Sequence, residues 1–333
     1  MHNTWEATAA EIRAAGIDEK TVASIEDYRK KINPDSEIQL LDKYSILAIP
    51  YTCDDYPSRL KEIHDFPPVL FIRGSLSSAD QNSIAVVGTR KASGYGRQVT
   101  EEIVSDLSRN NISIISGLAR GIDTIAHRAA LDVAGRTLSI FACGLDIVYP
   151  AENQSMAKRI MENGALISEY PPGTKPKPEY FPRRNRIMSG LSLGVLVIEA
   201  GEKSGALITA EQALNQNREV FAIPGSIFSP TSRGCNRLIQ QGAKLVTNYM
   251  DVLDELNIAD TVQQLEARVL LPENAAESTI LQQLTFEPKH VDEICRESNL
   301  SSHVVSSSLA MLELRGIVKQ IGSLNYVLAK RVK

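Results

Sequence analysis

Cysteine is scarce in this chain. Cys53, Cys143, Cys235 and Cys295 are the only four among 333 residues, far apart and without a C-x-x-C pair. That spacing argues against a disulfide framework or a zinc site and for a reducing compartment, the cytoplasm. Long apolar runs are lacking too. None approaches the roughly 20 residues a membrane-spanning helix needs, so no membrane partner is expected. The N-terminal M-H-N-T-W-E-A-T-A-A has no basic start and no apolar core, and no signal peptide is expected. Positive charge is not in excess: the formal charge is -4 and the pI about 5.8. Any nucleic-acid site must be a local basic patch on an acidic body. The nucleotide signatures G-x-G-x-x-G and G-x-x-x-x-G-K-[ST] are missing, so no dinucleotide or P-loop ATP cofactor is expected.

What is present is a soluble, globular composition, 43% hydrophobic and 23% charged, in a chain long enough for two or three domains. Residues 1–45 read as short helices. Trp5, Ala9, Ile12 and Ala15 recur at helical spacing, and Asp18 can cap a second helix with an apolar face of Val22, Ile25 and Tyr28. Helix–Gly–Ile–helix is half of a helix-hairpin-helix pattern, a module that often grips DNA backbone; the signal is weak, and a small interaction or spacer domain is the favoured reading. Residues 46–74 alternate short strands with proline turns and read as a lead-in that packs on the domain after it.

A long run of alternating strands and helices comes next. Apolar strands lie at 83–88, 112–117, 136–144, 165–170, 195–200, 220–225 and 244–248, with helices between most of them. Continuously apolar strands alternating with helices predict a parallel sheet covered on both faces, a Rossmann-like doubly wound α/β domain. Ligands of such sheets bind beyond the carboxyl ends of the strands. The loops there are G-T-R-K-A-S-G-Y-G (88–96), S-G-L-A-R-G-I-D (116–123), K-S-G-A-L-I-T (203–209) and S-R-G-C-N (232–236). Each joins glycine or serine to a helix N-terminus, where backbone N–H groups and the helix dipole favour an anion. Several such loops at one edge imply several phosphates, hence a polymer. The same edge carries Lys175, Lys177 and the stretch F-P-R-R-N-R-I (181–187). An aromatic ring beside several guanidinium groups suits single-stranded nucleic acid, the ring stacking on a base and the cations holding phosphates. The plainer reading is a helix start with solvated arginines and a core phenylalanine.

No nucleophile–base pair or catalytic carboxylate pair stands out. Asp123 reads as a helix cap and His127 as a packed helix residue; Glu199 and Glu211 read as structural. Residues 257–274 are polar and read as a linker. Residues 275–333 predict three helices and a hairpin around Gly322-Ser323, a winged helix. Its third helix, S-S-H-V-V-S-S-S-L-A-M-L, has no Arg or Lys, which favours a protein contact over base reading.

The ordered motifs V-G-T-R-x-x-S-x-Y-G, S-G-L-A-x-G-I-D-x-x-A-H, C-G-L-D-x-x-Y-P-x-x-N, S-E-Y-P-P-G, F-P-R-R-N-R-I, V-I-E-A-x-x-x-S-G-A-L-I-T-A and I-P-G followed by G-C-N-x-L-I-x-x-G-A resemble the DprA (Smf) family of bacterial DNA-processing proteins. The resemblance reaches the C-terminal winged helix and is weaker at the N-terminus, where the family carries a fuller SAM-like helical domain. It implies a non-enzymatic protein that binds single-stranded DNA, forms a homodimer and loads the RecA recombinase during natural transformation. By resemblance, Arg90 binds phosphate with Thr89 and Ser93 in its loop, and Phe181 stacks on a base. Lys175 or Lys177, with Arg183, Arg184 and Arg186, lines the strand's path, although Asn185 and Arg186 could instead brace the loop. Ser116, Gly117, Ser204 and Gly205 contact phosphates, and Ile239 and Leu245 lie in the dimer interface. The implied domains are 1–74, 75–256 and 275–333, joined by the linker. The alternative is an enzyme similar to the nucleoside-monophosphate phosphoribohydrolases. Their P-G-G-x-G-T-x-x-E motif loses its diglycine in the G-E-K-S-G-A-L-I-T-A-E found here.

Overall fold

The structure, a computed structural model, describes residues 5–258, 274–285, 288–314, 317–322 and 324–328. The chain divides into two compact units, one through Val252 and one from Leu253.

The first unit begins with three helices, α1 (Ala9–Ala14), α2 (Glu19–Lys31) and α3 (Pro34–Lys43). Thr8 and Glu11 form a capping box on α1, Asp18 caps α2, and Pro34 occupies the first turn of α3, where its missing N–H costs nothing. Of the predicted apolar face of α2, Val22 is buried but Tyr28 is 63% exposed.

Strands β1 (Leu47–Pro50), β2 (Val69–Gly74), β3 (Ser83–Val87), β4 (Ser113–Ser116), β5 (Thr137–Phe141), β6 (Gly164–Ser168), β7 (Gly194–Val197), β8 (Glu219–Ala222) and β9 (Lys244–Leu245) form one sheet. Their spatial order is β1-β2-β6-β5-β4-β3-β7-β8-β9. The last seven in that order run parallel; β1 and β2 are antiparallel, with Leu47 opposite Ile72 and Ile72 opposite Ile167. The segment read as a lead-in is therefore hydrogen-bonded into the sheet. A boundary at residue 74 separates two strands that pair, β2 and β6. Strand β2 fully buries Leu70 and Ile72 on one face, while Phe71 on the other is half-buried against a second core cluster.

Strands β3 to β7 are buried along their whole length, as the continuous apolar runs predict. Helices α4 (Gly94–Arg109), α5 (Ile122–Asp132) and α6 (Gln154–Glu162) pack in succession, while α7 (Tyr180–Leu191) packs on α8 (Gly205–Asn215). Helices α7, α8 and α9 (Arg233–Gln240) share one core cluster with the strands through Ile187, Ala210 and Leu238. After β3 the chain winds through β4, β5 and β6 on one side. It then crosses to β7 on the other. That reversal opens a crevice between the loops following β3 and β7, the expected ligand position of a doubly wound sheet.

After α10 (Tyr249–Glu255), the second unit holds α11 (Ala275–Gln283), β10 (Lys289–His290), α12 (Val291–Ser298), α13 (Ser302–Leu314), β11 (Val318–Gln320) and β12 (Asn325–Leu328). Its core contains Ile280, Ile294, Val305, Leu309 and Leu312. These are the three helices and hairpin of a winged helix, plus the short β10 paired with β12. A two-residue strand carries too little alternation to be read from sequence. Residues 259–273, most of the predicted linker, and Gly316 and Ser323 lie outside the described residues. Among the described residues, no helix is long and apolar enough to cross a membrane.

Candidate nucleic-acid interface

The segment 169–179 has four prolines, which deny it a helical ladder. Its path is fixed by contacts with the loop after β5. Gly173, at φ +83°, donates its N–H to Asp146 at 2.8 Å, and Gly144 donates to the Thr174 carbonyl at 2.9 Å. Tyr170 stacks on Tyr180 at 4.3 Å, and the Lys177 ammonium sits 5.5 Å from the Tyr180 centroid. Helix α7 then starts, with Pro182 in its first turn where proline is tolerated.

Phe181 stands at the mouth of the crevice. The Arg90 guanidinium lies 5.7 Å from its ring centroid, and the Tyr149 ring meets it at 5.7 Å with a tilt of 57°. Arg90, Lys175, Lys177 and Arg183 are exposed, and among the described residues none forms an ion pair. The cleft holds about 790 Å³ and is lined by Thr89, Arg90, Tyr149, Phe181, Lys203 and Ser204 among others. Ser204 caps α8 by accepting from the Ala206 N–H, and Gly205 is exposed beside it.

Two buried groups hold the loops. Glu199, 2% exposed, accepts from the Ser93 N–H at 2.9 Å, the Ser93 hydroxyl at 2.7 Å and the Thr231 hydroxyl at 2.9 Å. Its own carbonyl accepts from the Thr89 N–H at 2.8 Å, tying the β3 loop to the β7 loop. Arg184 is the other. Its guanidinium donates to the Gly117 carbonyl at 2.9 Å and to the Ile140 carbonyl, beneath the ends of β4 and β5. Gly117 must be glycine for this approach, since a Cβ there would sit 2.3 Å from Arg184 Nη1.

The profile of the family described as DNA recombination-mediator protein A matches residues 48–257, and that of the DprA winged helix domain matches 261–322. The first covers more than half of the chain. This chain belongs to that family. It is 46% identical to the DNA processing protein DprA of Bacillus subtilis (strain 168) over 212 residues, 63% of this chain and 71% of the relative. The crystal structure of DNA processing protein A from Streptococcus pneumoniae superposes with a TM-score of 0.67 and 40% identity, covering 75% of this chain and 87% of that one. The structure of the Helicobacter pylori protein, described for its unique single-stranded DNA binding mode, has a TM-score of 0.57 and 29% identity, covering 63% of this chain and 95% of that one.

Within this family member, the residues proposed from sequence fall into two groups. Arg90, Phe181, Lys175, Lys177, Arg183, Ser204 and Gly205 are at least partly open to solvent along the carboxyl edge of the sheet. Most of the others serve the fold. Arg184 is only 4% exposed, with Nη1 donating to two carbonyls and Nε to Asn185, so it braces the loops from the cleft wall. Arg186 pairs with Glu169 and Asp65, each at 2.7 Å, and is likewise a brace. Ser116 is fully buried and donates to the Val86 carbonyl, which leaves no hydroxyl for a phosphate. Thr89 and Ser93 use their polar atoms to shape the Arg90 loop. Asp123 is not the cap of α5, which is Gly121; it accepts from the Gly117 and Ala119 N–H groups at 3.1 and 3.4 Å. Of the two residues expected at a dimer interface, Leu245 is 42% exposed on the edge strand β9, while Ile239 packs partly against the core. Tyr149 was not proposed from sequence; its only signal is a place in the C-G-L-D-x-x-Y-P motif.

Burial raises the Asp123 carboxyl above its ordinary range, opposed by the neighbouring Arg184 guanidinium. Burial, helped by Arg184, lowers His127 from 6.5 to about 3. His127 Nδ1 meets the Thr137 hydroxyl at 2.7 Å, and Nε2 is buried without a partner among the described residues. Between about pH 3 and 6.5 the unfolded chain therefore binds more protons at His127 than the folded protein does. Stability rises with pH through that window and is lost as pH falls. Wild type should lose about 2 kcal/mol by about pH 5 that His127→Gln does not lose. Urea midpoints of both proteins from about pH 7 to 5 check this, the difference cancelling the opposite contribution of Asp123. Parallel profiles would refute it.

Proposed function

We propose that this protein binds single-stranded DNA without sequence preference, as a dimer, and loads the RecA recombinase onto the strand during natural transformation. The observation that carries the binding is the contact of Phe181 with the unpaired Arg90 at the topological switch point. An aromatic face offers stacking to any base, and the cations of the same edge offer phosphate contacts. Phe181, beside Tyr149, serves as the platform. Arg90, Lys175, Lys177 and Arg183 hold the backbone, and the α8 N-terminus at Ser204 and Gly205 receives a further phosphate. Thr89, Ser93, Ser116, Gly117, Arg184 and Arg186 keep these groups in place. No bond is made or broken in this function. Glu199, one of the two glutamates weighed for the enzyme alternative, is already taken by three hydrogen bonds.

The family and the H. pylori relative support the single-strand assignment; the RecA and transformation roles rest on the family resemblance. The open edge of β9, with Leu245, is the proposed dimer surface. Fluorescence anisotropy of labelled oligo-dT and of a duplex of equal length, at two salt concentrations, tests the reading. Salt-sensitive binding to the single strand with weak duplex binding is expected. Equal affinity for both would overturn the stacking role of Phe181.

A further inference from the structure

A second recess of about 340 Å³, bordered by Arg90 but not by Phe181, lies between α4 and α5. Its walls include Arg90, Lys91, Arg97, Arg120 and Arg128. The carboxylate on that wall, Glu152, is engaged by Arg120 through two hydrogen bonds at 2.7 and 2.8 Å. Among the described residues, Arg90, Lys91, Arg97 and Arg128 form no ion pair. Four unpaired cations around one concavity repel one another in the free protein, and an anion placed among them relieves that repulsion.

Arg97 strengthens the point. It stands in the sequence four residues after Ser93, the cap of α4, and the first turn of α4 carries no acidic residue. A cation there opposes the helix dipole, which favours negative charge at that end. The Glu199 carboxylate already answers the dipole at this helix end through its bonds to Ser93, so the dipole does not account for Arg97, which lines the recess without an ion pair among the described residues. The recess is also coupled to the crevice by construction. Arg90 lines both. Gly121, at φ +78°, brings the start of α5 so close to the Arg90 loop that a Cβ would lie 2.3 Å from the Thr89 carbonyl oxygen.

We propose that the recess is a second stretch of the nucleic-acid path, taking phosphodiester groups of a strand that has already passed Phe181. This rests on the single-strand reading above. Arginine forks suit phosphate oxygens, and no aromatic ring lines the recess, so it holds backbone and leaves the bases unread.

The test compares oligo-dT of about six and about twenty nucleotides on wild type and on Arg97→Gln/Arg128→Gln, by anisotropy over a salt series. Glutamine keeps much of each side chain's stem, and circular dichroism confirms the fold. The long oligonucleotide should bind the variant about tenfold more weakly, with a salt slope shallower by about 1.4, two charges at roughly 0.7 each. The gain in affinity from short to long oligonucleotide should shrink accordingly. An unchanged long-oligonucleotide affinity overturns the inference, as does an equal loss on both lengths, which would put these arginines on the short segment. A third arm titrates wild type with inorganic pyrophosphate by calorimetry. A saturable micromolar site would make the recess a pocket for a free anion and also overturn it. Phe181→Ala, run alongside, separates the two levels. If it too leaves binding intact, the single-strand site itself is wrong.

Discussion

Arg184→Met should destabilise the sheet unit by about 3–5 kcal/mol, the range for removing one partner of a buried charge pair. The guanidinium is buried among Asp123, Gly117 and Ile140. Burial itself disfavours its charge, with Asp123 working the other way. Methionine fills much of the volume but donates nothing. The Gly117 and Ile140 carbonyls lose a donor, and Asp123 loses its counter-charge inside the protein. Lysine should not rescue, because one ammonium cannot reproduce the planar fork. Denaturant unfolding followed by circular dichroism measures the loss, with hydrogen exchange at 113–116 and 137–141 locating it in β4 and β5. A variant with an unchanged midpoint and lost DNA binding would return Arg184 to the strand's path.

The case of Arg184 shows where the sequence stops being legible. In R-R-N-R the three arginines look alike. Only the rotation of α7 separates them, leaving Arg183 exposed, Arg184 under the strands and Arg186 on Glu169. That rotation depends on where the helix starts, and the prolines of 171–178 hid the start at Tyr180. The parallel sheet was readable because each strand is apolar along its length, a pattern local to each segment. The antiparallel attachment of β2 to β6 was not, since the partners lie about a hundred residues apart and nothing local fixes strand direction. Tyr149 was missed for the same kind of reason: its contact with Phe181 is made by tertiary folding alone. The glycine loops pointed to the right edge, but Ser116 and Gly117 proved to be inner supports whose polar groups serve the fold.

Removing both faces of the Phe181–Arg90 contact should have the largest effect on binding. Phe181→Ala alone should weaken single-strand affinity by about 1–3 kcal/mol, the cost of a lost stacking platform, with its salt slope nearly unchanged. Arg90→Ala should weaken it and make the slope shallower by about 0.7, one phosphate contact on a single strand. The two losses should not add. Arg90 lies against the Phe181 ring, so each holds the other's geometry, and cation–π coupling of about 0.5–1 kcal/mol is expected in the cycle. The double variant should lose on the order of a hundredfold to a thousandfold in affinity while keeping the wild-type circular dichroism spectrum, because both groups lie at the cleft mouth. Strict additivity would mean that ring and cation hold distant parts of the strand. A salt slope that falls with Phe181→Ala would mean the ring positions cations instead of stacking. If the double variant binds as wild type does, the strand runs elsewhere, and the carboxyl edge of the sheet loses its claim to be the DNA site.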